Sequence, residues 1–198
     1  MTLFYGPTSH QEISSIFKFL PKIVQICERN NYRLIIKIHP LLYHKHNREQ
    51  SGGVDWPKEI CDYKKNYGNI VFLKGNKNLS KYFRMTDVFL TDVSGLGFEF
   101  VLTTAKPIIF LGDKLKIPLE DLRKGNVKKY ENCPEVCYRG KIGPIVREPW
   151  ELEETVKKMV ENDAYKTERE KCRKEYVFNL GTASDVAVSE IKRIYEEL

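Results

Sequence analysis

The stretch from residue 86 to residue 113 constrains the fold of this chain more than any other part of the sequence. It begins with the short apolar run Val88-Phe89-Leu90, which predicts a buried strand. A polar turn follows, and apolar residues after it supply one side of a short helix. The run from Pro107 to Leu111 then predicts the next strand. The stretch therefore indicates a β-α-β unit, the repeating element of parallel sheets.

The turn inside this unit, Asp92 to Gly95, has the composition of an anion-binding site. Ser94 is a good helix N-cap because its hydroxyl can accept an N–H group of the first helical turn. Gly95 and Gly97 remove side chains where a ligand would press against the backbone. In open parallel sheets, ligands bind at the carboxyl ends of the strands. The N–H groups and the dipole of the helix start favour a phosphate there.

Short apolar runs and helical patterns alternate along the rest of the chain. Strands are predicted near residues 3–5, 34–38, 70–73, 88–90, 107–111 and 143–146. Helices are predicted near residues 11–29, 57–67, 78–84, 96–102, 149–160 and 163–178, with a terminal helix from about residue 182. The alternation predicts an α/β fold with a Rossmann-like, doubly wound parallel sheet of about six strands. The length of 198 residues suits a single domain.

The net charge of +6 is compatible with three classes of anionic partner. Basic residues gather in residues 37–45, 58–81, 123–129 and 166–174, where they could serve an anionic ligand, an anionic membrane surface or nucleic acid. The sequence contains no zinc finger, RNP motif or arginine-rich arm, so we expect no nucleic-acid partner. Acidic residues alternate with basic ones in residues 166–174, and this run is predicted to be a solvated helix surface.

Cysteine usage and hydropathy indicate a cytoplasmic chain without a membrane span. The five cysteines are odd in number, and Cys27 lies on an apolar helix face, so reduced thiols are expected. No run of about 18 apolar residues is present, and the amino terminus lacks the features of a signal peptide. Cys133 and Cys137 form a close pair without further ligands at metal-site spacing. We therefore expect no metal and no cofactor, and peripheral contact with the inner face of the membrane is a further expectation.

Four turns that follow predicted strands should meet at one rim of the sheet, because right-handed crossovers bring the strand ends together. These turns are Gly6–Ser9, His39–Pro40, Gly75–Asn76 and Asp92–Gly95. Pro40 restricts the conformation of His39, and Lys37 lies two residues earlier on the same strand face. A protonated His39 beside a helix N-terminus would stabilise a diphosphate and the charge on a leaving phosphate. Thr8 and Ser9 follow the first strand and are candidate phosphate ligands.

Each of these candidates also has a purely structural interpretation. His39 could simply end a strand, and Asp92 and Ser94 could fix a strand-to-helix corner through side-chain turns. Glu99 could bind a ribose hydroxyl from the helix or lie on the surface. Two further histidines, at positions 44 and 46, lie in a lysine-rich loop and are expected to be solvated. The residues alone leave these alternatives open.

Five short motifs carry a resemblance to a known family. They are His39-Pro40 after a strand, TDVSGLGFEF at 91–100, KPIIFLGD at 106–113, GPIV at 143–146 and GTAS at 181–184. Their order, and the opening LFYGPT, make the chain similar to the carboxyl-terminal half of the CDP-glycerol glycerophosphotransferases, the teichoic-acid primases and polymerases. The resemblance covers most of the chain. It implies a GT-B architecture, in which the carboxyl-terminal half binds the CDP-alcohol donor.

The resemblance assigns roles to individual residues. It implies that His39 contacts the diphosphate and acts as the catalytic residue, and that Thr91, Asp92, Ser94 and Gly95 form the phosphate turn. With Thr8, Ser9, Lys37 and Glu99, these residues make up the expected donor site. The acidic residue that the family carries eight positions after the threonine is present as Glu99. Gly95 stands where the family has a second serine, which removes one hydroxyl contact with the donor.

The resemblance also implies a missing partner. GT-B enzymes place the active site between two Rossmann-like halves, and this sequence resembles only the second. The amino-terminal half would supply the acceptor site and a second catalytic group, either in the same full-length protein or as a separate chain. We therefore expect residues 1–198 to form one donor-binding domain that binds a nucleotide without full turnover. With its other half, the protein is expected to transfer a polyol phosphate to a cell-wall or glycolipid polymer.

Two alternatives remain at this point. The same rim in another GT-B glycosyltransferase or nucleotide-sugar epimerase would bind a UDP-sugar. A non-enzymatic module would instead use its basic face to hold a partner or a membrane, and its binding would be sensitive to salt and indifferent to nucleotides.

Overall fold

The core of the protein is a parallel sheet. The computed structural model describes residues 1–43, 52–75, 78–113 and 133–197. The strands within these residues are β1 (Thr2–Gly6), β2 (Arg33–Ile36), β3 (Ile70–Phe72), β4 (Val88–Thr91), β5 (Ile108–Leu111) and β6 (Ile145–Val146). They form one six-stranded sheet in the order β3-β2-β1-β4-β5-β6. Every neighbouring pair is parallel, as the alternating pattern predicted.

Helices connect these strands. In the described residues they are α1 (Ile16–Arg29), α2 (Trp56–Asn66), α3 (Ser80–Met85), α4 (Gly95–Thr104), α5 (Pro134–Cys137), α6 (Leu152–Glu161), α7 (Lys166–Tyr176) and α8 (Ala183–Glu196). Short 3-10 helices span Pro40–Tyr43 and Pro149–Glu151. The strand order runs outward from β1 in one direction and from β4 in the other, which is the doubly wound order of Rossmann-like folds. The predicted fold class is therefore confirmed.

Both faces of the sheet are buried, which is why the strands are continuous apolar runs in the sequence. On one face, Val88 packs in a cluster with residues of α1, α2 and α6. On the other face, the ring centroid of Phe89 lies 4.8 Å from that of Phe4 and 4.7 Å from that of Phe100 in α4. Because successive strand residues alternate between these two cores, the sheet is fixed in register.

Several element boundaries differ from their predictions, including those of β2 and α1. Strand β2 ends at Ile36 rather than at Ile38. Helix α1 begins at Ile16 rather than near residue 11. The N–H groups of Ile13 and Ser14 both donate to the carbonyl of His10, so the chain forms a turn before this helix.

The charged helix α7 is not simply the solvated surface that its alternating charges predicted. Arg169 is fully buried, with 0% of its surface exposed, and Cys172 is buried beside it. The Nε of Arg169 donates to the carbonyl of Ala105 at 2.9 Å and its Nη1 to that of Ile142 at 3.0 Å, while Nη2 pairs with Asp163. The apparent surface run therefore contains a buried cation that joins α7 to the end of α4.

Helix α8 is the predicted terminal helix and carries apolar residues, but no residue of this helix is buried. Its exposed apolar residues are Val186, Val188, Ile191, Ile194 and Tyr195, and Phe178 and Leu180 are exposed just before it. Large exposed apolar surfaces commonly serve as contact sites for another molecule or domain.

Two other expectations concern thiols and membrane spans. All five cysteines lie in the described residues and are free thiols, and Cys27 is buried in α1 as expected. Of the helices that the structure describes, none combines the length and apolar character needed to cross a bilayer.

Candidate functional site

The start of α4 has the predicted geometry. Ser94 is the N-cap residue with extended backbone angles (φ −74°, ψ 132°), and its hydroxyl accepts from the N–H of Leu96 at 3.4 Å. Gly95, the first helical residue, is exposed. The N-terminal N–H groups of α4 therefore lie at the carboxyl end of β4, where they can bind an anion.

Gly97 serves packing and does not give a ligand access to the backbone, so that expectation was wrong. A Cβ atom at this position would lie 2.6 Å from Thr91 Cγ2 and 3.0 Å from Ile108 Cδ1. Gly97 itself is buried. The missing side chain lets α4 pack closely on β4 and β5, which brings the helix start next to the end of its strand.

The carboxylate of Asp92 faces the interior and is held there by four donors. It accepts from the backbone N–H groups of Thr8 at 2.9 Å, Ser15 at 2.8 Å and Val93 at 2.8 Å, and from the Ser15 hydroxyl at 2.9 Å. Burial raises the pKa of Asp92, and the hydrogen bonds from Ser15, Thr8 and Val93 partly offset this rise. Asp92 thus ties the segment after β1 to the turn after β4, across the point where the strand order reverses.

Two other predicted ligands have side chains inside the fold. Thr91 is fully buried, and its hydroxyl donates to the carbonyl of Gly6 at 2.8 Å. Thr8 is buried and its N–H donates to the carboxylate of Asp92, while the next residue, Ser9, is half-buried. These residues shape the rim from within.

An open cleft of about 500 Å³ lies at this rim. Its lining residues are Pro7, Lys37, Ile38, His39, Pro40, Leu79, Ser94, Gly95, Leu96 and Glu99. The structure therefore brings five of the predicted site residues together around one space. Thr8, Ser9, Thr91 and Asp92 are not among the lining residues.

Lys37 is the main source of positive charge in the cleft. Its exposed fraction is 7%, and its Nζ donates to the carbonyl of Ile38 at 3.0 Å. Among the described residues no carboxylate lies within ion-pair distance of this amine. Burial lowers the pKa of Lys37 below its ordinary value of 10.5. A buried ammonium favours an anion as its partner, because an anion would offset the cost of its desolvation.

His39 and Glu99 lie at the exposed edge of the cleft. The Nδ1 of His39 accepts from the N–H of Leu41 at 3.2 Å. This bond assigns the neutral imidazole its hydrogen on Nε2, which can then donate to a ligand oxygen. Glu99, on the first turns of α4, offers an acceptor for hydroxyl groups. The cleft thus combines donors for a phosphate with an acceptor for a sugar or polyol.

A metal site among the described residues would need several histidine, cysteine or acidic side chains close together. Over residues 1–43, 52–75, 78–113 and 133–197, no group of three or more histidine, cysteine or acidic side chains could hold a metal ion. Cys133 precedes the short helix α5 as its N-cap and Cys137 is its last residue, and no further metal ligands join them among the described residues. His44 and His46 lie outside the described residues, as does Asn76 of the third predicted turn.

The sequence patterns missed two residues that shape the site. Ser15 binds the Asp92 carboxylate through both its N–H and its hydroxyl. Arg139 donates to the carbonyl of Asp92 at 2.7 Å from the far side of the turn. In the sequence, Arg139 lies in the stretch of residues 114–140, which has only short apolar groups and weak periodicity.

Comparison with known proteins places this geometry in context. The sequence model of the family described as CDP-Glycerol:Poly(glycerophosphate) glycerophosphotransferase matches residues 3–192. The wall teichoic acid polymerase TagF gives a TM-score of 0.58 at 20% sequence identity, over 99% of this chain and 43% of that chain. A TagF variant soaked with CDPG gives a TM-score of 0.58 at 19% sequence identity, over 99% of this chain and 42% of that chain. The glycotransferase of kitacinnamycin gives 0.51 at 13% identity, over 88% and 38%. No protein with a curated function matches the sequence.

The structural similarities support the fold, and the sequence-model match supports the family. At 13–20% identity, the structural neighbours show the fold alone. The chain spans less than half the length of the TagF chains that it matches. The family match is independent of that likeness and covers almost the whole sequence. The chain therefore belongs to the CDP-glycerol:poly(glycerophosphate) glycerophosphotransferase family.

Proposed function

We propose that this chain is the donor-binding half of a glycerophosphotransferase and binds a CDP-alcohol such as CDP-glycerol in the cleft at the sheet rim. The observation that carries the proposal is the position of Lys37. Its ammonium is buried in the same cleft as the start of α4, and no carboxylate among the described residues pairs with it. A diphosphate would act as the counterion of that ammonium, and its oxygens would accept hydrogen bonds from the N–H groups at the start of α4. The family match supports CDP-glycerol as the donor.

Each lining residue has a distinct role in this proposal. Ser94 and Gly95 present the backbone N–H groups of α4 to one phosphate. Lys37 neutralises the diphosphate, and His39 donates from Nε2 to the phosphate that leaves with the nucleotide. Stabilising charge on a leaving group at a fixed position lowers the barrier to transfer. Glu99 accepts a hydrogen bond from a ribose hydroxyl.

The remaining predicted site residues act from inside the fold. Asp92 and Thr91 hold the turn and the end of β1 through hydrogen bonds to Thr8 and Gly6. Ser9 follows Thr8 in the same segment. In this proposal these residues fix the position of the helix start, and the phosphate contacts come from the backbone and from Lys37 and His39.

Transfer needs a second half that binds the acceptor. We expect it to pack on the exposed apolar face of α8, since burial of residues such as Ile191 and Tyr195 would stabilise the contact. The chain described here would bind the donor but would not orient an acceptor against it, so transfer at ordinary rates is not expected. Cytoplasmic localisation and peripheral contact with an anionic membrane also remain predictions of this account.

A thermal-shift panel tests the proposal against its alternatives. A ligand that binds only the native state raises the melting temperature, so the panel ranks ligands without a turnover assay. We expect CDP-glycerol and CDP to stabilise the protein more than UDP-sugars at equal concentration. Preference for a UDP-sugar would indicate another GT-B donor half, such as a glycosyltransferase or epimerase. Indifference to every nucleotide, together with salt-sensitive binding to anionic vesicles, would indicate a non-enzymatic module.

The lowered pKa of Lys37 predicts how the affinity depends on pH. Only protonated Lys37 attracts the diphosphate, and burial lowers its pKa below the ordinary value of 10.5. The affinity for inorganic pyrophosphate should therefore fall as the pH is raised through this lowered pKa, at a lower pH than an exposed lysine would require. Titrations at neutral and alkaline pH should show this loss in the wild type. Lys37→Met should bind weakly at both, whereas the exposed-lysine control Lys65→Met should follow the wild type.

A further inference from the structure

Arg139 lies behind the turn that begins α4 and joins the ends of two strands. Its exposed fraction is 8%. Its Nη1 donates to the carbonyl of Asp92, just after β4, at 2.7 Å. Its Nη2 donates to the carbonyls of Gly112 and, at 3.4 Å, of Leu111 at the end of β5. The guanidinium also packs on the ring of Phe110, with 5.4 Å between Cζ and the ring centroid.

The charge of Arg139 lacks a direct counterion in the described part of the chain. No carboxylate there lies within ion-pair distance of it, and its buried Nε has no hydrogen-bond partner. Burial lowers the pKa of Arg139 to about 10, while Asp92 and Asp113 favour its charged form. Arg139 is therefore cationic at neutral pH. Arg169, which is also deeply buried, differs because it pairs with Asp163.

The turn separates Arg139 from the cleft. A small cavity of about 10 Å³ beside Arg139 is lined by Asp92, Val93 and Ser94, among others. Ser94 also lines the large cleft on the other side. The carboxylate of Asp92 is held by Thr8 and Ser15, and its carbonyl is held by Arg139. The last residues before α4 are thus fixed from two directions.

We propose that Arg139 is a positioning residue for anion binding, which fixes the turn before α4 and places a positive charge behind it. This inference rests on the proposed function, because it takes the start of α4 as the phosphate site. Donors that are already oriented need no reorganisation when the ligand arrives, so they bind more tightly than mobile ones. A cation in a region of low dielectric raises the potential at the helix start further.

The test compares two replacements of Arg139 with a matched control, using inorganic pyrophosphate and CDP as probes. Arg139→Met keeps much of the volume and removes both the charge and the carbonyl contacts, whereas Arg139→Lys keeps the charge. The control is Arg173→Met, since Arg173 donates to the carbonyls of Leu102 and Thr103 at the opposite end of α4. Calorimetric titrations are made well below the melting temperature of each variant.

We expect Arg139→Met to weaken pyrophosphate binding by about tenfold, because the turn loses the hydrogen bonds that fix it and the helix start loses a nearby positive charge. Arg139→Lys should recover part of this loss, and Arg173→Met should bind as the wild type does. Equal binding by wild type and Arg139→Met, or equal losses in Arg139→Met and Arg173→Met, would overturn the inference. If Arg139→Met does not fold, wild-type affinity in Arg139→Lys would overturn it.

The outcomes for the two proposals differ. Suppose that pyrophosphate binding depends on Arg139 but the wild type binds CDP no more tightly than pyrophosphate. The assignment of a nucleotide donor is then wrong and the positioning role of Arg139 stands. If CDP binds wild type and Arg139→Met alike, the donor site stands and the positioning role is wrong. If the wild type binds neither probe, both are wrong.

Discussion

Replacement of Arg169 by alanine is expected to lower the free energy of unfolding by about 3–5 kcal/mol, the range for breaking a buried ion pair from one side. The guanidinium is fully buried and satisfies the carbonyls of Ala105 and Ile142 while pairing with Asp163. Removing it leaves two carbonyls without their donor and a carboxylate without its cation, and it opens a cavity. Urea denaturation of wild type and variant measures the change directly.

A neighbouring lysine supplies the control for this experiment. Lys174 lies on the same helix as Arg169 but is exposed. Lys174→Ala should change the free energy of unfolding by no more than about 0.5 kcal/mol, as surface substitutions usually do. Losses of similar size in the two variants would show that Arg169 is not a structural centre of the fold.

Replacement of His39 by alanine is expected to weaken CDP binding by about ten- to a hundredfold, since a hydrogen bond to a charged group contributes about 1.5–3 kcal/mol. The imidazole lines the cleft near Lys37, and its Nδ1 already accepts from the N–H of Leu41. That bond helps to orient the ring for a hydrogen bond from Nε2 to the ligand. Isothermal titration with CDP measures the loss.

Two further variants separate a specific contact from a general effect of removing a histidine. His39→Gln retains an amide donor and should recover part of the affinity. His10→Ala removes an exposed histidine that does not line the cleft, and it should bind CDP as the wild type does. Circular dichroism confirms that each variant is folded. Wild-type affinity in His39→Ala would leave His39 with only a structural role in the turn after β2.

The sequence predicted most of the sheet because parallel strands are buried on both faces. Runs such as Val88-Phe89-Leu90 have no polar alternation, and such runs occur where both sides of a strand are covered. The start of α4 was predictable for a local reason, since Ser94 caps the helix that it precedes. Interactions of this kind depend on neighbours in the chain, and the sequence displays them directly.

The features that sequence reasoning missed depend on distant partners. Asp92 faces inward because Thr8, 84 residues away, donates to its carboxylate. Arg139 donates to backbone carbonyl groups. Because every residue carries such a carbonyl, the sequence does not identify the partners of Arg139. Arg169 did leave a signal, because Arg169 and Cys172 in α7 follow Tyr165 at its N-cap with helical spacing. The alternating charges around it concealed that spacing.

Titration calorimetry of CDP-glycerol with the purified chain tests the central claim most directly. We expect saturable binding with a dissociation constant on the order of micromolar to millimolar, equivalent to about 4–8 kcal/mol, because half of the active site supplies the contacts. The binding should weaken in Lys37→Met and His39→Ala and remain unchanged in His10→Ala. The absence of any heat of binding at millimolar CDP-glycerol would contradict the assignment of the cleft as a CDP-alcohol donor site.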